Sequence, residues 1–150
     1  MDTQACGEMA ALQQLAARYW ARADGDLGIA LDGIFTPDGS LQLGPLELVG
    51  LPAIERFFLE RDVTQREGQR TTRHIACNHL LSPLGADHIE MRSTVLVYVG
   101  TGSWPMQSNA PSAIADFIDT CVRRPRGPWR FARREGRTVF VGAGAATFAR

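Results

Sequence analysis

Three side chains in this sequence have the type and placement that acid/base chemistry needs: His74, Asp24 and Tyr19. His74 stands in Thr72-Arg73-His74, within a stretch of alternating apolar residues. On a strand, alternation gives His74 one face with Thr72, Ala76, Asn78 and Leu80, and gives Arg73 and His79 the other. A histidine titrates near neutrality, and a carboxylate within hydrogen-bond reach fixes its tautomer and raises its pKa, which makes a general acid/base. Asp24, in Asp24-Gly25-Asp26 at the end of a helical pattern, supplies that carboxylate if the fold brings the two together. Both residues also have plainer uses, the aspartate as a turn or cap residue and the histidine as part of a core. Tyr19 lies on the apolar stripe of the same helical pattern, where it is either a core ring or a donor to developing negative charge.

Other chemistries find little support. His79 and His88 read as exposed, and no pair or triple of histidines has metal-ligand spacing. No phosphate-binding loop, dinucleotide fingerprint or nucleophile elbow occurs, so the expectation is an activity without metal or cofactor. Cys6, Cys77 and Cys121 are odd in number and far apart, which suits small buried residues in a reducing compartment. Asp119 and Asp116 fall on opposite strand faces, and a cross-strand ion pair to a hairpin arginine such as Arg133 is the expected role of Asp119.

At 150 residues, 45% hydrophobic and 21% charged, the chain suffices for one domain, residues 1–150, with a core and an internal pocket. No apolar run reaches the roughly 18 to 20 residues of a membrane span, and the first residues lack a basic segment followed by an apolar one. A cytoplasmic protein with no membrane partner is expected. Charge is balanced overall, yet residues 121–150 hold eight arginines and one acid, Glu135. Their alternation, with Trp129, Phe131 and Arg133 on one face and Arg130, Ala132 and Arg134 on the other, reads as a sheet face paired with the acidic remainder rather than a nucleic-acid surface.

The elements that must position these residues follow from periodicity. Leu12, Leu15, Ala16, Tyr19 and Ala23 predict a first amphipathic helix. Leu27, Ala30, Leu31, Ile34 and Phe35 predict a second, capped by Asp26 and closed by a turn at Thr36-Pro37-Asp38-Gly39. Leu41 to Leu48 predict a short strand pair around Gly44-Pro45. Pro52 then opens a third helix that buries Ile54, Phe57 and Phe58 and gives way to a loop at residues 63–69. From Thr71 the period becomes two, predicting strands separated at residues 82–85, across the long segment 100–112, at 123–128 and at 135–137. Trp104 and Met106 of the long segment are candidates for a lid or an oligomer contact. Three helices followed by antiparallel strands make an α+β arrangement.

In this order the pieces ARYWARADGDLGIALDGIFTPDG, LVGLPAIERFF, TRHIACN and DFIDTCVRRPRGPWRFARR resemble SnoaL-like domains of the NTF2-like superfamily over nearly the whole chain. The resemblance implies a cone: three N-terminal helices packed on a strongly curved, mostly antiparallel sheet, around a deep apolar pocket. It also implies that Asp24 faces the pocket and that the chain forms homo-oligomers, dimers or trimers, through the outer sheet face. Activities in the superfamily include polyketide cyclases, dehydratases and isomerases, besides binding domains and the small subunits of ring-hydroxylating dioxygenases. Here Leu43 stands about where ketosteroid isomerases carry their general-base aspartate. Ala23 precedes Asp24 where scytalone dehydratase has a tyrosine, and no second histidine occurs at 97–99. The expectation is a lyase, isomerase or cyclase acting on a small hydrophobic carbonyl, aromatic or polyketide-like molecule, with His74 as general acid/base, Asp24 as its orienter and Tyr19 as donor. The alternative is a non-catalytic binding or subunit domain.

Overall fold

The structure, a computed structural model, describes residues 2–146. Two helices, not three, pack on a curved, open six-stranded sheet whose strands β1 (Phe35–Leu43), β2 (Leu46–Val49), β3 (Arg70–Gly85), β4 (His88–Thr101), β5 (Ala113–Val122) and β6 (Arg130–Val141) lie in the order β2-β1-β6-β5-β4-β3. Helix α1 spans Thr3–Ala23, its N-terminus capped by the Asp2 carboxylate accepting from the Ala5 amide at 2.7 Å. Its alanine-rich sequence favours the helix, and Leu12, Leu15, Ala16, Tyr19, Trp20 and Ala23 form the buried stripe. Helix α2, Leu51–Glu67, carries Pro52 in its first turn and buries Ile54 and Phe58. The two helices are joined by Arg22, whose two terminal nitrogens donate to both oxygens of Asp62 at 2.9 and 2.7 Å, a bidentate pair that fixes their relative rotation.

The predicted second helix does not form. Gly28 and Gly33 weaken it, and Asp26 accepts from the Gly28 amide, closing a local Asx turn instead of capping a helix. Only a 3₁₀ turn at Leu31–Gly33 remains, and the chain then enters strand β1, Phe35–Leu43. The pull is tertiary: Phe35 pairs in parallel with Phe131, and the Phe131 amide donates to the Ile34 carbonyl at 2.8 Å. Thr36-Pro37-Asp38-Gly39, expected as a turn, is an irregular stretch inside β1, between the paired positions Phe35 and Ser40. The Gly44-Pro45 turn leads to β2, Leu46–Val49, as predicted.

Strands β3 (Arg70–Gly85), β4 (His88–Thr101), β5 (Ala113–Val122) and β6 (Arg130–Val141) form an antiparallel run closed by the parallel β6/β1 pair. Three predicted breaks are absent. Helix α2 continues through residues 63–67 because Gln65 extends its inward face, donating to the Ala23 carbonyl. Residues 82–85 stay in β3, and 135–137 stay in β6, where Gly136 is paired with Phe117.

Two irregularities change which side chains face inward. In β3 the register shifts between Cys77 and Leu80, with Asn78 at φ 55°, so Asn78 and Leu80 are exposed while His79 joins His74 on the inner side. In β6 the register shifts beside Ala132, so Arg133 faces out and Arg134 is fully buried with Phe131. Both reverse the strict alternation expected from the sequence. Cys121 is buried, Cys77 half-buried and Cys6 exposed, contrary to the expectation for Cys6, which lies in the outer first turns of α1.

Three of the seven described arginines of the basic C-terminal segment are held by acids, two of them by acids outside it. Arg123 pairs with Glu8 and Asp87, Arg133 with Glu135, and Arg134 with Asp119; Arg150 lies outside the described residues. No helix among the described residues is long and apolar enough to cross a membrane.

Candidate active site

Asp24 caps the C-terminus of α1 with its backbone amide donating to the Trp20 carbonyl, which directs its side chain at the start of β3. There three donors converge on it. The Thr72 hydroxyl donates to Oδ1 at 2.8 Å, the His74 backbone amide donates to Oδ2 at 2.9 Å, and the His74 ring meets Oδ1 through Nδ1 at 2.6 Å. Asp24 and His74 therefore come together within hydrogen-bond reach. Burial alone would raise the Asp24 carboxyl, but its bonds from His74 and Thr72 outweigh burial and hold it below its ordinary value.

Histidine behaves otherwise. Burial dominates at His74 and lowers its pKa, the opposing pull of Asp24 is insufficient, and the fields of Arg61 and Arg134 push the same way as burial. The expected rise toward neutrality is thus reversed, and the pair stands as carboxylate beside neutral imidazole. With Nδ1–H donated to Asp24, the free lone pair lies on Nε2. The ring is fixed from a second side by Trp20, stacked at 4.4 Å between centroids and 16° between planes.

His74 borders a cavity of about 80 Å³ between the helices and the sheet, several times the ~10–15 Å³ that one water occupies on this measure. Trp20, Phe57, Phe58 and Phe117 give it aromatic walls; Tyr19, Arg61 and Thr138 are its other polar side chains. Tyr19 is buried among rings, and burial pushes its phenol up to about 12, so it stays protonated and able to donate. Gly136 also lines the cavity, and a Cβ there would stand 2.5 Å from Cζ of Phe117. Gly136→Ala is expected to destabilise the protein by about 1–3 kcal/mol through overpacking, readable as a lowered urea midpoint; an unchanged midpoint would mean that the Phe117 ring yields without cost.

Sequence reasoning passed over Arg61 and misplaced Arg134. Arg61 follows Phe57 and Phe58 by four and three residues on α2, so its spacing put it on the inward stripe. Its Nε donates to the Ala23 carbonyl at 3.3 Å and its Nη2 to the Thr72 hydroxyl at 3.2 Å. Arg134 and Asp119 are both fully buried, with Nε 3.3 Å from Oδ1, yet no side-chain nitrogen of the one or carboxylate oxygen of the other makes a hydrogen bond among the described residues. The guanidinium instead sits over the rings of Tyr19, Trp20, Phe117 and Phe131 at 4.1–4.7 Å, an arrangement in which ring quadrupoles hold the cation.

His79 faces inward beyond the Asn78 irregularity, half-buried, its Nε2 without a hydrogen bond, and burial together with Arg134 lowers its pKa. His88 is exposed. Trp104 is 70% exposed, donates to Thr71 and lies against Arg73, away from the cavity. Among the described residues no three His, Cys, Asp or Glu side chains gather as a metal site would require.

The sequence pattern that defines SnoaL-like domains matches residues 5–135, nearly the whole chain. The chain belongs to the SnoaL-like domain family. Solved structures share its fold. A presumptive scytalone dehydratase from Novosphingobium aromaticivorans is 22% identical, with 97% of this chain and 99% of that one covered and a TM-score of 0.74. ActVI-ORFA from Streptomyces coelicolor is 18% identical, with 91% and 98% covered and a TM-score of 0.76. Hexachlorocyclohexane dehydrochlorinase LinA-type3 from Novosphingobium barchaimii is 18% identical, with 97% of each chain covered and a TM-score of 0.72. No curated protein matches. In this SnoaL-like domain the Asp24–His74 pair therefore sits in a fold common to proteins of differing chemistry, and its own geometry must carry the functional argument.

Proposed function

We propose that this SnoaL-like domain is a cofactor-independent acid/base enzyme, a lyase, isomerase or cyclase acting on a small hydrophobic carbonyl or aromatic substrate. The observation that carries the reading is the 2.6 Å contact between Asp24 and a His74 that borders an aromatic-walled cavity. Neutral His74 takes a proton from carbon through Nε2, and Asp24 stabilises the imidazolium that forms. The same nitrogen then returns the proton, to a departing hydroxyl in an elimination of water or to another carbon in an isomerisation. Tyr19 donates to the carbonyl oxygen as it gains charge.

The test is a screen of hydroxylated aromatic and polyketide-like carbonyl compounds for loss of water or isomerisation, run in D₂O so that exchange at the acidic carbon is also detected. Because His74 acts as a base and its pKa lies below the ordinary 6.5, kcat/KM is expected to be flat at neutral pH and to fall only as pH drops through that lowered value. A profile that declines as pH rises past neutrality would assign the essential group to a protonated acid and sink this role.

The outer face of the sheet supports assembly of copies of the chain. Ile75, Leu96, Ile114 and Phe140 are paired in succession across β3, β4, β5 and β6, with Ile75 52% and Phe140 65% exposed. Sedimentation of wild type against Phe140→Glu reads this directly, a dimer or trimer being expected for the former and a smaller species for the latter.

A further inference from the structure

Arg61 is a cation without a carboxylate partner. Arg22 has Asp62 and Arg134 has Asp119, whereas among the described residues no Asp or Glu oxygen lies within 4.0 Å of the Arg61 guanidinium. Asp24 and Asp62 act on it only from longer range, and each is already bonded, to His74 and to Arg22. A guanidinium does not shed its proton to escape such a setting, and a charge half removed from water, as Arg61 is, carries part of the cost of burial until it is paired. Two of its nitrogens are anchored, Nε on the Ala23 carbonyl and Nη2 on the Thr72 hydroxyl. Thr72 also donates to Asp24, so the Arg61 anchor and the His74 anchor are one connected scaffold. Nη1 has no protein acceptor among the described residues, and the side chain lines the cavity that His74 borders.

We propose that Arg61 receives an ionised oxygen, so that the cavity takes an apolar ring-bearing molecule carrying a carboxylate or phenolate, the ring against Phe57, Phe58 and Phe117 and the oxygen on the guanidinium. This rests on the reading of the cavity as the substrate site, but not on turnover. The Thr72 scaffold fixes the spacing between bound oxygen and His74, so Arg61 selects which carbon of the ligand meets Nε2.

Calorimetric titration of the wild-type protein with benzoate and with 4-nitrophenolate, each against its neutral counterpart benzamide or nitrobenzene, tests the proposal and tells the two oxygen sources apart. At least one anion is expected to bind about tenfold or more tighter than its counterpart. Arg61→Gln is expected to erase that preference and Arg61→Lys to keep part of it. His74→Gln is expected to leave it intact, so loss of turnover and loss of anion selection separate. Equal binding of anion and neutral ligand to the wild type, binding of neither, or a preference that survives Arg61→Gln overturns the proposal. A wild-type crystal soaked with 4-bromobenzoate decides the matter without any variant: bromine among the aromatic walls with the carboxylate on Arg61 supports it, and the carboxylate on any other group overturns it.

Discussion

Replacement of His74 by alanine is expected to lower kcat by about 10²–10⁴-fold, the usual contribution of a positioned general base, with little loss of stability. The separation of the two effects comes from the way Asp24 is held. Its Oδ2 accepts from the His74 backbone amide and its Oδ1 from Thr72, and neither bond needs the imidazole. The carboxylate therefore stays satisfied in the variant, and what disappears is the imidazole that borders the cavity and stacks on Trp20. Turnover with a substrate found in the D₂O screen, compared with the urea midpoint of the same preparation, provides the check. Unchanged turnover in a folded His74→Ala protein removes His74 as the acid/base group, and no turnover by the wild type in the screen leaves a binding domain.

Removal of the Asp119 carboxylate is expected to be among the most damaging single changes, about 3–5 kcal/mol for Asp119→Ala. It strands a fully buried guanidinium that cannot neutralise itself. Arg134→Met leaves the opposite remnant, and the two differ in their pH dependence. Burial already pushes Asp119 up to about 6 against the pull of Arg134; without that arginine it rises further. A carboxyl whose folded pKa exceeds its unfolded one favours the folded state fully at low pH and loses that advantage as pH rises through the folded value. Arg134→Met is therefore expected to lose less stability relative to wild type at pH 5 than at pH 8, whereas Asp119→Ala has no such carboxyl and lacks this dependence. Urea unfolding of both variants at the two pH values measures the contrast. A penalty below about 1 kcal/mol for Asp119→Ala, the size of an exposed pair, would show that the ring cage alone holds the cation.

Much of this site was visible before the structure, and the parts that were not share a physical cause. The stripe of α1, the start of α2 and the alternating strands followed from periodicity, and Asp24 and His74 stood out by residue type, by face and by likeness to SnoaL-like domains. Arg134 and His79 escaped because one extra residue in a strand reverses every face beyond it; Asn78, of a type that tolerates positive φ, carried a signal, whereas Ala132 carried none. The second helix failed where pairing with a distant strand overrode local spacing. Arg61 was legible in principle, as one charged residue at the spacing of Ile54, Phe57 and Phe58.

The parallel contact between β1 and β6 has a kinetic consequence. Phe35 faces Phe131, and Leu41 faces Arg134, so an early strand finds its neighbour only in the last described one. Every other pairing in the sheet is antiparallel and links consecutive strands, and such contacts close short loops at small entropic cost. The β1/β6 junction closes the longest loop in the molecule, and non-local pairings of this kind set the pace of folding. The hairpins of β3 to β6 are thus expected to assemble first and the wall carrying Leu43 and Gly44 to dock afterwards, completing the chamber beside His74 late in folding.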